Sequence, residues 1–117
     1  MHPQRTSLFA DPSGKFVHDL VFSAAERHPE KVAIVDTSTT PAKQITYAEY
    51  ADMVERIARG LIAAKIQPNQ VVAIFLPNCW EFCAAIHAIS YAGAVSTLLN
   101  PSYREREVRY QLENSDA

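Results

Sequence analysis

The chain contains very few glycines, and this scarcity excludes the best-known phosphate-binding loops. Only Gly14, Gly60 and Gly93 occur among the 117 residues. A dinucleotide-binding turn or a P-loop needs several closely spaced glycines, so that backbone amides can close around the phosphates. Nucleotide binding through either motif is therefore excluded.

Three further shortages narrow the class of protein. There is no basic excess, because the formal net charge is -2, so the attraction to a phosphate backbone that a nucleic-acid binder needs is missing. No apolar run reaches the eighteen or more residues of a membrane span. The N-terminus also lacks the apolar core of a secretory signal. We expect a soluble, cytoplasmic protein with no nucleic-acid partner and no membrane span.

Cys79 and Cys83 are the only cysteines, and in an intracellular chain two such thiols are more often free than bridged. With His87 they recur at four-residue steps, which is one face of a helix. A straight helix spreads them over about 12 Å, too far for one zinc ion bound at about 2.0 to 2.3 Å. The start of a helix can activate a thiol such as that of Cys79. No basic partner is close in the sequence, so a small buried core thiol is favoured.

Hydrophobic periodicity predicts a helix followed by a β-hairpin in the first half of the chain. The helix starts near Phe16 and ends after His28, where Pro29 stops it. Its predicted apolar stripe is Val17, Leu20, Val21, Ala24 and Ala25. "KVAIVD" (31–36) and "KQIT" (43–46) are short extended runs joined by a polar loop, which predicts an antiparallel pair.

The second half predicts a long helix and then a β-α-β unit. Thr46 and Glu49 form a capping-box pattern, and the face of the helix that follows is Tyr50, Val54, Ile57, Ala58 and Leu61. "VVAIFL" (71–76) does not alternate, which is typical of a parallel strand covered on both faces. Asn78 with Glu81 predicts the cap of the next helix, and Gly93 its left-handed end. "AVSTLL" (94–99) then completes a parallel pair.

A last helix is predicted from a second capping pattern, formed by Ser102 and Glu105. Its inward pair is Val108 and Leu112, and no further strand follows. A helix that crosses a parallel sheet normally leads to another strand, so the predicted sheet is incomplete. The mixed charges of "REREVR" (104–109) indicate a solvated helix face.

Two segments have the outline of a ligand site, and both are better explained as scaffold. "TSTTPAK" (37–43) offers hydroxyls and Lys43, but it has no glycine and opens no helix, which favours a hairpin loop. "VVAIFLPNCWEF" (71–82) has the strand-turn-helix form of a phosphate site, again without glycine, and the charge of Glu81 would repel an anion there. Trp80 and Tyr91 are more typical of core or interface aromatics than of ligand platforms.

The order of these segments resembles the adenylate-forming (AMP-binding) superfamily, the acyl-CoA synthetases and coumarate-CoA ligases, over residues 16–117. One family motif appears as "ITYAEY" (45–50), and another as "YAGAV" (91–95) leading to "NPSY" (100–103). The "NPSY" form is similar to the coumarate-CoA ligase and fatty-acyl-CoA ligase branch rather than to peptide-synthetase adenylation domains. The resemblance implies a flexible lead-in, 1–15, followed by an incomplete N-terminal portion of a synthetase domain, 16–117.

The resemblance also implies a two-step reaction in the complete enzyme. ATP and a carboxylic acid give an acyl-adenylate and pyrophosphate, and coenzyme A then takes the acyl group as a thioester. The implied ATP, magnesium and CoA sites lie outside this chain, so we expect no catalytic, cofactor-binding or metal residue within it. Its expected partner is the remainder of the synthetase. The alternative is an interaction module that self-associates through an exposed sheet edge.

Overall fold

The structure is a computed structural model that describes residues 16–117. The predicted lead-in, 1–15, lies outside the described residues. Helix α1 spans Val17–Arg27 and is followed by His28 as its C-cap, so the predicted stop before Pro29 is confirmed. The predicted apolar stripe is partly wrong. The buried residues of α1 are His18 and Val21, because the side of α1 that packs on the other helices includes His18. Val17 and Leu20 are 57% and 51% exposed.

A β-hairpin follows α1, as predicted. Strand β1 is Val32–Asp36 and strand β2 is Lys43–Thr46. They pair antiparallel with Asp36 opposite Lys43 and Ile34 opposite Ile45, and the register shifts between Val32 and Ile34. The segment 37–42 is the loop between the two strands, which confirms the hairpin interpretation.

Helix α2, Tyr47–Ala63, begins at the predicted capping box. The Glu49 amide donates to the Thr46 hydroxyl oxygen at 3.2 Å, and the Thr46 amide donates to a carboxylate oxygen of Glu49 at 2.9 Å. Both bonds satisfy amides that a helix start leaves without partners. The predicted face is also confirmed, since its buried residues are Tyr50, Val54 and Ala58.

A β-α-β unit follows. It consists of β3 (Val71–Ile74), α3 (Trp80–Tyr91) and β4 (Val95–Leu98). The two strands are parallel, from Val71 opposite Val95 to Ile74 opposite Leu98. Gly93 has a φ of 83°, the left-handed conformation predicted for the residue after this helix. The predicted coverage of β3 on both faces is wrong within this chain. Only Ile74 of β3 is buried, and the adjacent Phe75 is 47% exposed.

Helix α4 spans Glu105–Ser115, and its N-cap is Arg104. The predicted cap at Ser102 with Glu105 is therefore wrong. The Ser102 hydroxyl instead donates to the side-chain oxygen of Asn100 at 2.8 Å, a local turn that competes with helix capping. Val108 and Leu112 do face inward, but both are only half-buried.

The core lies where α1, α2 and α3 meet the hairpin. Its buried cluster comprises Val21, Ile45, Tyr50, Val54, Ala58, Ala84 and Ala88. Within 16–117 the structure therefore has four helices and two two-stranded sheets, one antiparallel and one parallel. The predicted α/β class, with its hairpin, β-α-β unit and covering helices, is confirmed. Among the helices of 16–117, none is long and apolar enough to cross a membrane.

Candidate functional site

A crevice lies between the end of β1 and the start of α3, at the strand-turn-helix segment that resembles a phosphate site in sequence. It is lined by Ile34, Val35, Asp36, Thr37, Asn78, Cys79, Trp80 and Cys83. The turn after β3 leads into α3 at Trp80. The predicted Asn78–Glu81 cap is wrong, because the N-cap is Cys79 and no side-chain bond caps the helix from that position.

Asp36 supplies the missing cap from the hairpin. One carboxylate oxygen accepts from the Trp80 amide at 2.9 Å. The other accepts from the Ser38 amide at 2.8 Å and from the Ser38 hydroxyl. The side chain is buried, with 6% exposure. Hydrogen bonds from the Ser38 hydroxyl, the Trp80 amide and the Ser38 amide, in that order, hold the pKa of Asp36 below its usual value.

The sequence reasoning missed Asp36. The available signal was an acidic residue at the end of an apolar strand, but its partner Trp80 lies 44 positions further along the chain. A capping pattern relates residues only three positions apart, so it predicted Asn78 and Glu81 instead of the distant Asp36.

The crevice does not fit a phosphate group or a magnesium ion. A helix N-terminus attracts anions through its free amides and dipole, but here the Asp36 carboxylate already occupies an amide and repels a second anion. The charge of Lys43 already acts on Asp36, whose pKa it lowers further, and its ammonium group lies over the Trp80 ring at 5.2 Å from the centroid. In 16–117 no three His, Cys, Asp or Glu side chains gather closely enough to hold a metal.

The two cysteines are free, as predicted. The expectation of a buried thiol at Cys79 is wrong, since that residue is only half-buried and Cys83 is exposed. The Cys79 thiol donates to the Pro77 carbonyl oxygen at 3.3 Å. His87 is engaged elsewhere, with Tyr50. The three residues therefore have different partners: the Cys79 thiol bonds to Pro77, and His87 bonds to Tyr50 and to the Cys83 carbonyl.

His87 and Tyr50 join α3 to α2. The Tyr50 hydroxyl oxygen lies 2.6 Å from Nδ1 of His87, and the two rings meet edge-on with centroids 5.6 Å apart. Burial lowers the pKa of His87, an effect opposed by the hydrogen bond to the Cys83 carbonyl and reinforced by His18. Burial likewise raises the pKa of Tyr50. Both side chains are therefore neutral at neutral pH, and the tyrosine retains its proton as a donor.

The aromatic residues singled out in the sequence are packing residues, as predicted. Trp80 is half-buried against the core cluster. Tyr91 is 43% exposed, and its ring packs against Phe22 at 4.9 Å and His18 at 5.2 Å. The charges of 104–109 face solvent, where Glu105 and Arg109 form an exposed pair at 2.9 Å.

A second concave surface, lined by apolar residues, lies between α2, α3 and the carboxyl end of β3. Its lining is Ile57, Leu61, Val72, Ala73, Ile74, Phe75, Leu76, Ala85 and Ile89. Val95 and Leu98 of β4 are each 50% exposed as well. A two-stranded parallel sheet open to solvent is unusual, because parallel sheets are normally covered on both faces.

Comparison with known proteins identifies the family of this chain. The family model described as "AMP-binding enzyme" matches residues 21–117, so the chain belongs to the AMP-binding, adenylate-forming family. It is 34% identical over 104 residues to Triostin synthetase I of Streptomyces triostinicus, covering 89% of this chain and 19% of the relative. It is 38% identical over 84 residues to 4-coumarate–CoA ligase 4 of Arabidopsis thaliana, covering 72% and 14%.

Solved structures give the same assignment. The inhibitor-bound N-terminal domain of FACL13 from Mycobacterium tuberculosis superposes with a TM-score of 0.82 at 27% identity, over 88% of this chain and 25% of that one. The chain thus spans less than a fifth of the two curated relatives and a quarter of the FACL13 domain. The predicted family is confirmed. The relatives include both a tripeptide synthetase and a 4-coumarate–CoA ligase, so membership of the family does not by itself separate the two branches.

Proposed function

We propose that this chain is the N-terminal fragment of an ATP-dependent acyl-CoA synthetase and that it is inactive by itself. In the complete enzyme a carboxylate, ATP and CoA would give acyl-CoA, AMP and pyrophosphate. The observation that carries the proposal is the 38% identity to 4-coumarate–CoA ligase 4. The "NPSY" segment (100–103) lies within the family match and supports the same branch.

The chemistry of the described residues supports the proposed inactivity. Adenylate formation needs preorganised positive groups or metal ions around the phosphates as charge develops on them. The strand-turn-helix segment that resembles a phosphate site holds the Asp36 carboxylate at its helix start, which disfavours that charge. ATP, magnesium and CoA would therefore be bound by the remainder of the synthetase, which is the proposed partner of this chain. The two free thiols favour a cytoplasmic location for the enzyme.

An adenylation segment of a peptide synthetase is the second candidate. It is supported by the 34% identity to Triostin synthetase I over most of this chain. As proposed here, the two candidates share adenylate formation and differ in the acceptor thiol, which is free CoA in one and a carrier-bound thiol in the other. The acceptor therefore discriminates between them.

The alternative to an enzyme fragment is an interaction module that associates with itself. The outer edges of β3 and β4 have no strand partner in the described part of the chain, and unpaired edges promote association. The apolar lining beside Phe75 supplies contact area. Light scattering at several protein concentrations separates the cases: a mass that stays monomeric and independent of concentration counts against self-association.

The proposed function is tested with the protein product of the full reading frame. The reading frame beyond the Ala117 codon is sequenced, and its full product is expressed and assayed for carboxylate-dependent ATP–pyrophosphate exchange. Thioester formation is then measured with free CoA and, in parallel, with a phosphopantetheinyl carrier protein. The proposal expects CoA thioester. Exchange with transfer only to the carrier would favour the peptide-synthetase candidate, and a frame without exchange activity would overturn both.

A further inference from the structure

One nitrogen of His87 lies between two competing partners. The Tyr50 hydroxyl oxygen, on α2, is 2.6 Å from Nδ1. The Cys83 carbonyl oxygen, one turn earlier on α3, is 3.0 Å from the same atom. A hydroxyl can donate to Nδ1 only when that nitrogen carries no proton, whereas a carbonyl can accept only when it carries one. The protonation of Nδ1 therefore decides whether the Tyr50 hydroxyl donates to it, or whether Nδ1 itself donates, to the Cys83 carbonyl or to the hydroxyl oxygen.

The choice has a structural consequence, because the two bonds join different parts of the fold. The bond to Tyr50 crosses from α3 to α2, and Tyr50 is 3% exposed within the core cluster. The bond to Cys83 remains within α3. Burial raises the pKa of the Tyr50 hydroxyl, so this group remains a donor throughout the range in which histidine titrates.

Among the charged and titratable neighbours of His87, His18 favours the neutral ring. From α1, His18 lies nearby, because its Nδ1 is 2.9 Å from the Ser90 hydroxyl and Ser90 is one turn beyond His87. Asp19 lies 3.5 Å from the other nitrogen of His18. The remaining titratable neighbours are Tyr50 from α2 and Cys83 from α3 itself. The hairpin groups Asp36 and Lys43 lie at the opposite end of α3, beside Trp80.

We propose that His87 is a pH-sensitive joint between α2 and α3. In the neutral ring, Nδ1 accepts a hydrogen bond from the Tyr50 hydroxyl, and this bond links α3 to α2. When the ring takes a proton from solvent, Nδ1 becomes a donor shared with the Cys83 carbonyl, and the Tyr50 proton loses its acceptor on α3, which weakens the bond between the helices. This inference stands apart from the proposed function, since it concerns packing within the described residues and requires no ATP chemistry.

The direction of the effect is fixed by linkage. A histidine whose pKa is lower in the folded protein stabilises the fold above its ordinary value of about 6.5, and this stabilisation is lost as the pH falls through the folded-state pKa. The equilibrium constant for separating α2 from α3 should rise about tenfold for each unit between the two pKa values.

The first test is a nitrogen-15 NMR titration of the histidine rings in the 117-residue protein. At pH 7.5 Nδ1 of His87 should be unprotonated, with the proton on Nε2. Tyr50→Phe retains the aromatic ring and removes only the donor, so the midpoint of the His87 titration should rise by about half a unit to one unit. A protonated Nδ1 at pH 7.5, or an unchanged midpoint in Tyr50→Phe, would overturn the proposal, because burial alone predicts no dependence on the hydroxyl.

The second test measures hydrogen exchange of the α2 and α3 amides between pH 7.5 and 5, corrected for the intrinsic pH dependence of exchange. The wild type should lose protection in both helices as the pH falls, and Tyr50→Phe should show a smaller loss. His28→Gln is the matched control, because His28 is an exposed C-cap residue of α1, and this variant should behave as the wild type. Equal loss of protection in wild type and Tyr50→Phe would contradict the joint.

Discussion

The Asp36 carboxylate accepts a hydrogen bond from the Trp80 amide at 2.9 Å, across 44 positions of sequence. The last residue of β1 thereby caps the helix of the β-α-β unit. Lys43, which lies opposite Asp36 in the hairpin, adds a cation–π contact over the Trp80 ring. The hairpin and the β-α-β unit are thus joined by one hydrogen bond and one aromatic contact at the same helix end.

Asp36→Asn should lower the melting temperature at pH 7 and flatten the acid limb of the stability curve. The folded-state pKa of Asp36 lies below its usual value near 3.8. Its contribution is therefore fully present above that value and is lost as the pH falls through the folded-state pKa. Thermal melts from pH 7 down to about pH 2 measure the effect, because the loss is expected below pH 3.8. Asp52→Asn is the control, because Asp52 pairs with Arg56 only at 3.7 Å on an exposed face. Equal acid sensitivity in wild type and Asp36→Asn would refute this role.

Thr46→Ala should lower the free energy of unfolding by about 1 kcal/mol, the usual cost of losing a helix cap. Ser102→Ala is the informative comparison, since both residues sit in the same sequence pattern but only Thr46 caps a helix. The Ser102 variant should change stability by no more than about 0.5 kcal/mol. Urea denaturation monitored by circular dichroism gives both values, and similar losses in the two variants would contradict the assignment.

Val54→Ala should lower the free energy of unfolding by about 2 kcal/mol, because it removes two buried methyl groups and leaves a small cavity. Val54 has 0% exposure at the centre of the core cluster. Val35→Ala is the matched control, because Val35 is 53% exposed, and it should change stability by less than about 0.5 kcal/mol. A smaller loss at Val54 than at Val35 would contradict the central position of Val54 in the core.

Cys83 should be alkylated before Cys79 in the folded protein. The Cys83 residue is exposed, whereas Cys79 is half-buried and its thiol donates to the Pro77 carbonyl. Iodoacetamide labelling with peptide mass spectrometry gives the two rates, and labelling in urea should abolish the difference. Faster labelling of Cys79 would show that the turn before α3 is more open than described.

Sequence patterns located the helices and strands well because their signals are local. The Thr46–Glu49 box is one example: both partners lie within one turn of helix. The same pattern at Asn78 and at Ser102 does not form a cap. The Asp36 carboxylate accepts from the helix start after Asn78, and Ser102 bonds to the Asn100 side chain in a local turn. Helical periodicity likewise cannot determine which neighbours a helix meets, so it placed Leu20 inside and missed the buried His18.

The wrong prediction for β3 has another cause than the wrong helix caps. Its uninterrupted apolar run predicts cover on both faces, yet Phe75 is 47% exposed. Nothing in the pattern indicates whether the covering segment belongs to the same stretch of chain. The curated relatives are several times longer than the matched region, which is consistent with a surface built to pack against more of a synthetase.

Carboxylate-dependent ATP–pyrophosphate exchange, measured side by side on the purified 117-residue protein and on the product of the full reading frame, tests the central claim most directly. The claim predicts no exchange above background for the 117-residue protein. It also predicts exchange followed by CoA thioester formation for the full product. Exchange catalysed by the 117-residue protein alone would contradict it, because the phosphate-handling groups would then have to lie within this chain.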